Sequence, residues 1–174
     1  MKLSDLLQDD WVVAPLEAAS VEEALVPILR RALPEADGGE QWATDFAEAL
    51  ASGGAGEIVR INDEVVVAVG SLESLEGVTL GIGVAESRFE AMADGSADPG
   101  HARVIFLVLS PKRPAGARQQ LVPPIGRALR DPGRTETLIA AGVAGDVGAI
   151  RGVLDVEFRP RLFVEDALVP VQYR

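Results

Sequence analysis

The chain has 174 residues, 48% of them hydrophobic and 25% charged, with a formal net charge of -11 at pH 7. That is the composition of one ordinary globular domain, long enough to bury a core without crosslinks. Cysteine is absent and His101 is the single histidine, which excludes disulfides, thiolate or multi-histidine metal sites and a cysteine nucleophile; the acidic balance argues against nucleic acid or an anionic membrane as partner.

The opening MKLSDLLQDDW is too acidic and too short in its apolar run for a signal peptide. No window approaches the roughly 20 apolar residues of a membrane span, so a cytoplasmic protein is expected. Leu3–Leu7 reads as a short amphipathic helix with Ser4 as its cap, and Trp11–Pro15 as a short strand. Ser20-Val21-Glu22-Glu23 has the spacing of a capping box. Behind it Val21, Ala24, Leu25, Ile28, Leu29, Ala32 and Leu33 recur at helical spacing. A second helix follows from about Glu40 to Ala51, and Ser52-Gly53-Gly54-Ala55-Gly56 breaks it.

Three strands come next: Glu64–Val69, Val78–Ala85 and Ala102–Ser110. Their near-continuous apolar runs are those of strands covered on both faces. Glu86–Gly100 between the last two reads as a long polar connection. A helix from Pro114 to Arg130 should be kinked or interrupted at Pro123-Pro124. Arg134–Ala141 and Asp146–Leu154 read as two short helices, the first stopped by Gly142.

Three stretches resemble the IIA domain of the bacterial phosphotransferase system, of the fructose/mannitol and nitrogen-regulatory type. They are MKLSDLLQDDWVV with EAASVEEALVPILRRAL, the proline-ended strand ARVIFLVLSP, and QQLVPPIGRALRDPGRTETLIAAG. The likeness covers residues 1–154. It implies an α/β fold of three layers, a mixed sheet of four to five strands with helices on both faces, and no cofactor. In that family a G-x-G-x-A-I-P-H motif supplies a histidine that accepts and passes on a phosphoryl group, which needs a ring nitrogen. The ungapped match over Arg60–Val69 puts Val69 at the histidine, or Gly70 if the register slips by one. Asp63 and Glu64 replace small or glycine positions there, and their charge should repel a phosphoryl donor. The family's second histidine falls near Arg118. The resemblance thus implies the fold and argues against the chemistry, and fold alone does not fix function.

The remaining signals are weak. Gly81-Ile82-Gly83 has no third glycine and reads as a close-packed strand rather than a nucleotide loop. Asp94-Gly95-Ser96-Ala97-Asp98 has the oxygen spacing of a calcium loop but Ile105 where the bidentate Glu belongs. Ser71 and Ser110 have no histidine base in range. Arg113 and Arg118, near Lys112 at a strand-to-helix junction, are candidates for a small-anion site, with Arg60. Val164–Pro170 resembles the opening of a cystathionine-β-synthase-type regulatory repeat, and residues 155–174 read as a tail, either the start of a further regulatory domain or an added interaction strand.

These readings give a IIA-like domain without phosphotransfer, acting as a regulatory, ligand-sensing or protein-interaction module. Its partner is expected to be a protein or a small anionic ligand, with a homodimer left open. The alternatives are a phosphocarrier using His101 and a structural module that assembles through its tail.

Overall fold

The structure is a computed structural model that describes residues 1–33, 39–73, 75, 77–91, 100–112 and 117–158. In chain order the elements are α1 (Leu3–Leu6), β1 (Leu7–Leu16), α2 (Val21–Ala32), α3 (Gly39–Ser52), β2 (Gly56–Asn62), β3 (Val65–Ser71), β4 (Thr79–Glu90), β5 (His101–Ser110), α4 (Ala117–Ala128), α5 (Pro132–Val143) and α6 (Val147–Val153). The strands form one sheet in the order β1-β4-β5-β3-β2. β3 and β5 are parallel, as are β1 and β4, while β4–β5 and β2–β3 are antiparallel. This is the mixed sheet expected, at the upper end of the strand count.

The apolar runs in β3 and β5 are explained by two cores. Val65, Val67, Val104, Phe106 and Val108 point into one, shared with α4, α5 and α6. The alternate positions Val66, Ala68, Ile105, Leu107 and Leu109 point into the other, under α2 and α3. Val65–Val69 and Val104–Leu109 are therefore apolar without a break, because both faces of the sheet are covered there. On α2, Leu25, Ile28 and Leu29 are all fully buried, and each such side chain is worth about 2 kcal/mol of transfer free energy. Ser20 Oγ accepts from Glu23 N at 3.3 Å, and Glu23 Oε2 accepts from Ala19 N at 2.8 Å, so the expected box caps α2 with its return bond one residue early.

Several sequence expectations change. The cap of α1 comes from Asp5, whose Oδ2 accepts from Lys2 N at 2.8 Å, rather than from Ser4. Residues 56–62 form a full strand, β2, hairpinned to β3. β4 continues through Ser87 and Arg88 to Glu90, because Phe89 and Glu90 pair with Ala102 and His101. Polar side chains on its exposed stretch conceal that pairing. Pro123 and Pro124 lie inside α4; Leu121 and Ile125 are fully buried on either side of them, and their packing holds the helix through the lost N–H bonds. Gly142 does not stop α5, which runs to Val143; the left-handed position is Gly145, φ +70°.

Gly81 and Gly83 lie within β4 under α2. A Cβ on Gly81 would stand 3.0 Å from Ile28 Cγ2, and one on Gly83 would stand 2.9 Å from Leu16 Cδ2. They are packing positions, as their mid-strand setting suggests.

Residues 155–158 close onto the N-terminus. Lys2 and Glu157 form an isolated antiparallel β-bridge, Phe158 N donates to Met1 O at 2.9 Å, and the Phe158 ring is buried in the α4–α6 core. Asp155 hydrogen-bonds Lys2 at 2.7 Å and raises its pKa above the usual lysine value. The tail readings for residues 159–174, and the calcium-loop reading of 94–98, lie outside the described residues.

Candidate functional site

The sheet has two poles. Along the parallel β3–β5 pair the register runs from Val65↔Val104 to Ser71↔Ser110. The β2–β3 hairpin turn, Asp63-Glu64, and the start of β5, His101, therefore share one pole. Val69 and Gly70 stand near the other, opposite Val108 and Leu109.

At the hairpin pole an open cavity of roughly 620 Å³ lies between the hairpin, the His101 end of β5 and the α4–α5 junction. Arg60 builds one wall. Its Nη1 donates to Asn62 O at 3.0 Å and His101 O at 3.1 Å, and its Nη2 donates to Ala91 O at 2.7 Å. A planar fork of donors suits this task, because one guanidinium ties β2 to both neighbouring chain segments. Gly100 is tight for the same reason: a Cβ there would stand 2.4 Å from Arg60 Nη2.

Asn62 builds the floor. Its Oδ1 accepts from Glu64 N at 2.8 Å, and its Nδ2 donates to Thr135 Oγ1 at 3.3 Å and to Leu129 O at 3.4 Å. Thr135, buried on α5, also donates to Leu129 O at 3.3 Å. A short polar side chain at the end of β2 is thus the link between the hairpin and the α4–α5 turn. On the rim Glu64 pairs with Arg88 of β4 through Oε1, while Glu64 Oε2 is buried with no hydrogen-bond partner among the described residues. Arg130, Asp63, Glu136 and His101 complete the lining and are exposed.

The opposite pole is closed by packing. Val69 is 9% exposed and its side chain belongs to the α4–α6 core. Gly70 faces α3, where a Cβ would stand 2.7 Å from Leu50 Cδ2 and 3.5 Å from Phe46 Cζ. Any side chain there, an imidazole included, meets α3. Ser71 Oγ and Ser110 Oγ lie 3.3 Å apart and satisfy each other, with no histidine near either among the described residues. Gln120 on α4 is buried, and its Oε1 has no partner among the described residues.

The residues singled out in the sequence separate accordingly. His101 joins Arg60, Asn62, Asp63 and Glu64 around the cavity. It lies roughly 23 Å along β5 from Val108, the partner of Val69. Asp63 and Glu64 are on its pole, so their charge does not bear on Val69 as expected; the length of β3 separates them from it. Arg60 and Arg118 do not form a cluster. α4 ends where Leu129 meets Asn62, and Arg118 in its first turn is about 16 Å back along the helix axis. Arg113 lies outside the described residues. Reading from sequence missed Asn62, Arg88, Arg130 and Thr135; the Asn-Asp pair between two β-rich runs was the one local signal of a hairpin turn that could have pointed to this pole.

No family model matches the sequence, and no curated protein matches it. Among solved structures the fold is similar to the crystal structure of nitrogen regulatory protein IIA-Ntr from Neisseria meningitidis, with a TM-score of 0.65 and 15% identity over 87% of this chain and 97% of that one. At that identity the likeness establishes a IIA-like fold. Among the described residues no helix is long and apolar enough to cross a membrane.

Proposed function

We propose that the protein is a cytoplasmic regulatory module on a IIA-like fold, which senses a ligand or binds a protein partner and does not transfer phosphate. The observation that supports this reading is the setting of Val69. It stands in β3 where the motif match puts the phosphoryl-accepting histidine, in register with Val108 and packed into the core. A valine offers no nucleophile, and Gly70, the other register, carries no side chain at all. The name of the structural neighbour, a nitrogen regulatory protein, is consistent with a regulatory role.

The test is incubation of the full chain with phosphoenolpyruvate and the general phosphotransferase components, with acid-labile phosphate read by intact mass. The expected result is no phosphate. Stoichiometric phosphate on His101 would overturn the proposal, because a phosphoryl acceptor would then sit at the hairpin pole rather than beside Val69.

A further inference from the structure

The two edges of the sheet are finished differently. At the β1 edge, carbonyl groups are taken by arginines from the helices on either face. Arg31 Nη1 on α2 donates to Val12 O at 2.6 Å, and Arg151 on α6 donates to Ser4 O at 2.6 Å and Leu7 O at 2.7 Å. Pro15, within the same strand, brings no N–H. Such devices keep an edge from accepting another strand. At the other edge β2 pairs with β3 alone among the described strands. It has no proline and no lysine, and Val59 and Ile61 on one of its faces are half-buried. Its one arginine, Arg60, is turned to the carbonyl groups of Asn62, Ala91 and His101 and does not guard that edge. An apolar edge of this kind is a template for a further strand.

The chain carries a segment of matching pattern beyond Phe158. Ala167, Val169, Val171 and Tyr173 alternate with Leu168, Pro170 and Gln172, which is the period of a strand with one apolar face. That run is seven residues, the length of β2. Pro170 lacks an N–H, which an outermost strand tolerates and an inner one does not.

The reach follows from the register. Leu7, Leu80, Val108, Val69 and Glu57 stand in one row across the five strands. Four strand spacings make that row about 19 Å wide. Phe158 is tied to Met1, which leads through α1 to Leu7 at one end of the row. Residues 159–166, extended, span about 26 Å, enough to cross to Glu57 and bring Ala167 to the start of β2. A run entering there travels in the direction of β2.

We infer that residues 167–173 lie along β2 of the same chain as a sixth, parallel strand, with Val169 and Val171 against Val59 and Ile61. The cover is intramolecular for two reasons. A tether this short gives the run a local concentration in the millimolar range at its own β2. A formal net charge of -11 sets one copy of the chain against another. The inference goes beyond the proposed function and does not depend on whether phosphate is transferred.

Hydrogen–deuterium exchange of the full chain, read by mass spectrometry, tests it. Amides of residues 56–62 should exchange at least about tenfold faster in Val169→Asp and in Val171→Asp than in the parent, because either variant sets a carboxylate into the new apolar contact. Gln172→Ala, on the other face of the run, should leave them unchanged. Exchange along β5 should be the same in all four chains, which separates loss of the added strand from loss of the fold. The protection of β2 should also be independent of protein concentration. Equal β2 exchange in the parent and both aspartate variants would overturn the inference. Protection that appears only as a dimer forms would overturn it too, since the strand would then come from a second copy.

Discussion

Replacing Gly142 with alanine sets helix propensity directly against packing. By propensity alone the change should stabilise α5, since glycine within a helix costs about 0.5–1 kcal/mol relative to alanine. The structure reverses the sign. A Cβ at Gly142 would stand 2.3 Å from both Cβ and Cγ1 of Val84 and 2.7 Å from its Cγ2. Val84 is fully buried on β4, a strand paired on both sides, so neither partner can give way cheaply. Overpacking of this kind costs about 1–3 kcal/mol. An approach of 2.3 Å to a Cβ puts the cost at the upper end of that range, so a net loss of about 2 kcal/mol remains after the propensity gain, which lowers the thermal midpoint of a chain this size by about 4–8 °C. Gly126 on α4 is the control, because a Cβ there meets nothing within 4 Å. Gly126→Ala should raise the midpoint by about 1–4 °C. Both are read by thermal unfolding followed by circular dichroism. A Gly142→Ala midpoint at or above that of the parent would refute the packing argument, whatever Gly126→Ala does.

Arg60→Ala removes the donor from three carbonyl groups at once and should cost about 1–3 kcal/mol in a urea titration, with Arg60→Lys recovering only part because an ammonium cannot span all three. Ser20→Ala deletes the cap on Glu23 N and should cost about 1 kcal/mol, read as a lower urea midpoint with unchanged slope. Glu64→Gln should leave the stability of the protein within about 1 kcal/mol of the parent, since a mostly exposed Arg88 is a weak partner and the buried oxygen loses its charge; a large loss in the same titration would show that Glu64 serves the fold.

The β3 run that holds Val69 was legible in the chain itself, because an unbroken apolar pattern needs no contacts to be seen. The cavity was not. Its walls come from β2, β4, β5 and the α4–α5 junction, and Arg60, Arg88 and Arg130 lie far apart in the chain with no shared local pattern. Arg60 shows the limit best. As a sequence it is a free cation and a candidate for an anion site, and only folding brings the carbonyl groups of Ala91 and His101 to its guanidinium. The split between Arg60 and Arg118 follows from the same cause, since the length of α4 decides which pole each residue occupies.

The sequence by itself determined the layered α/β class. Period-3.6 stripes and unbroken apolar runs are local consequences of burial on one face or two, and β3, β5, α2, α5 and α6 are all visible in them. Tertiary structure alone decided that β4 reaches Glu90, that Gly142 packs instead of capping, and that His101 stands away from Val69. Each of those depends on what a residue meets across the fold, on a strand partner, a valine on another element or a register along β5, and no local pattern of side chains encodes which distant surface arrives.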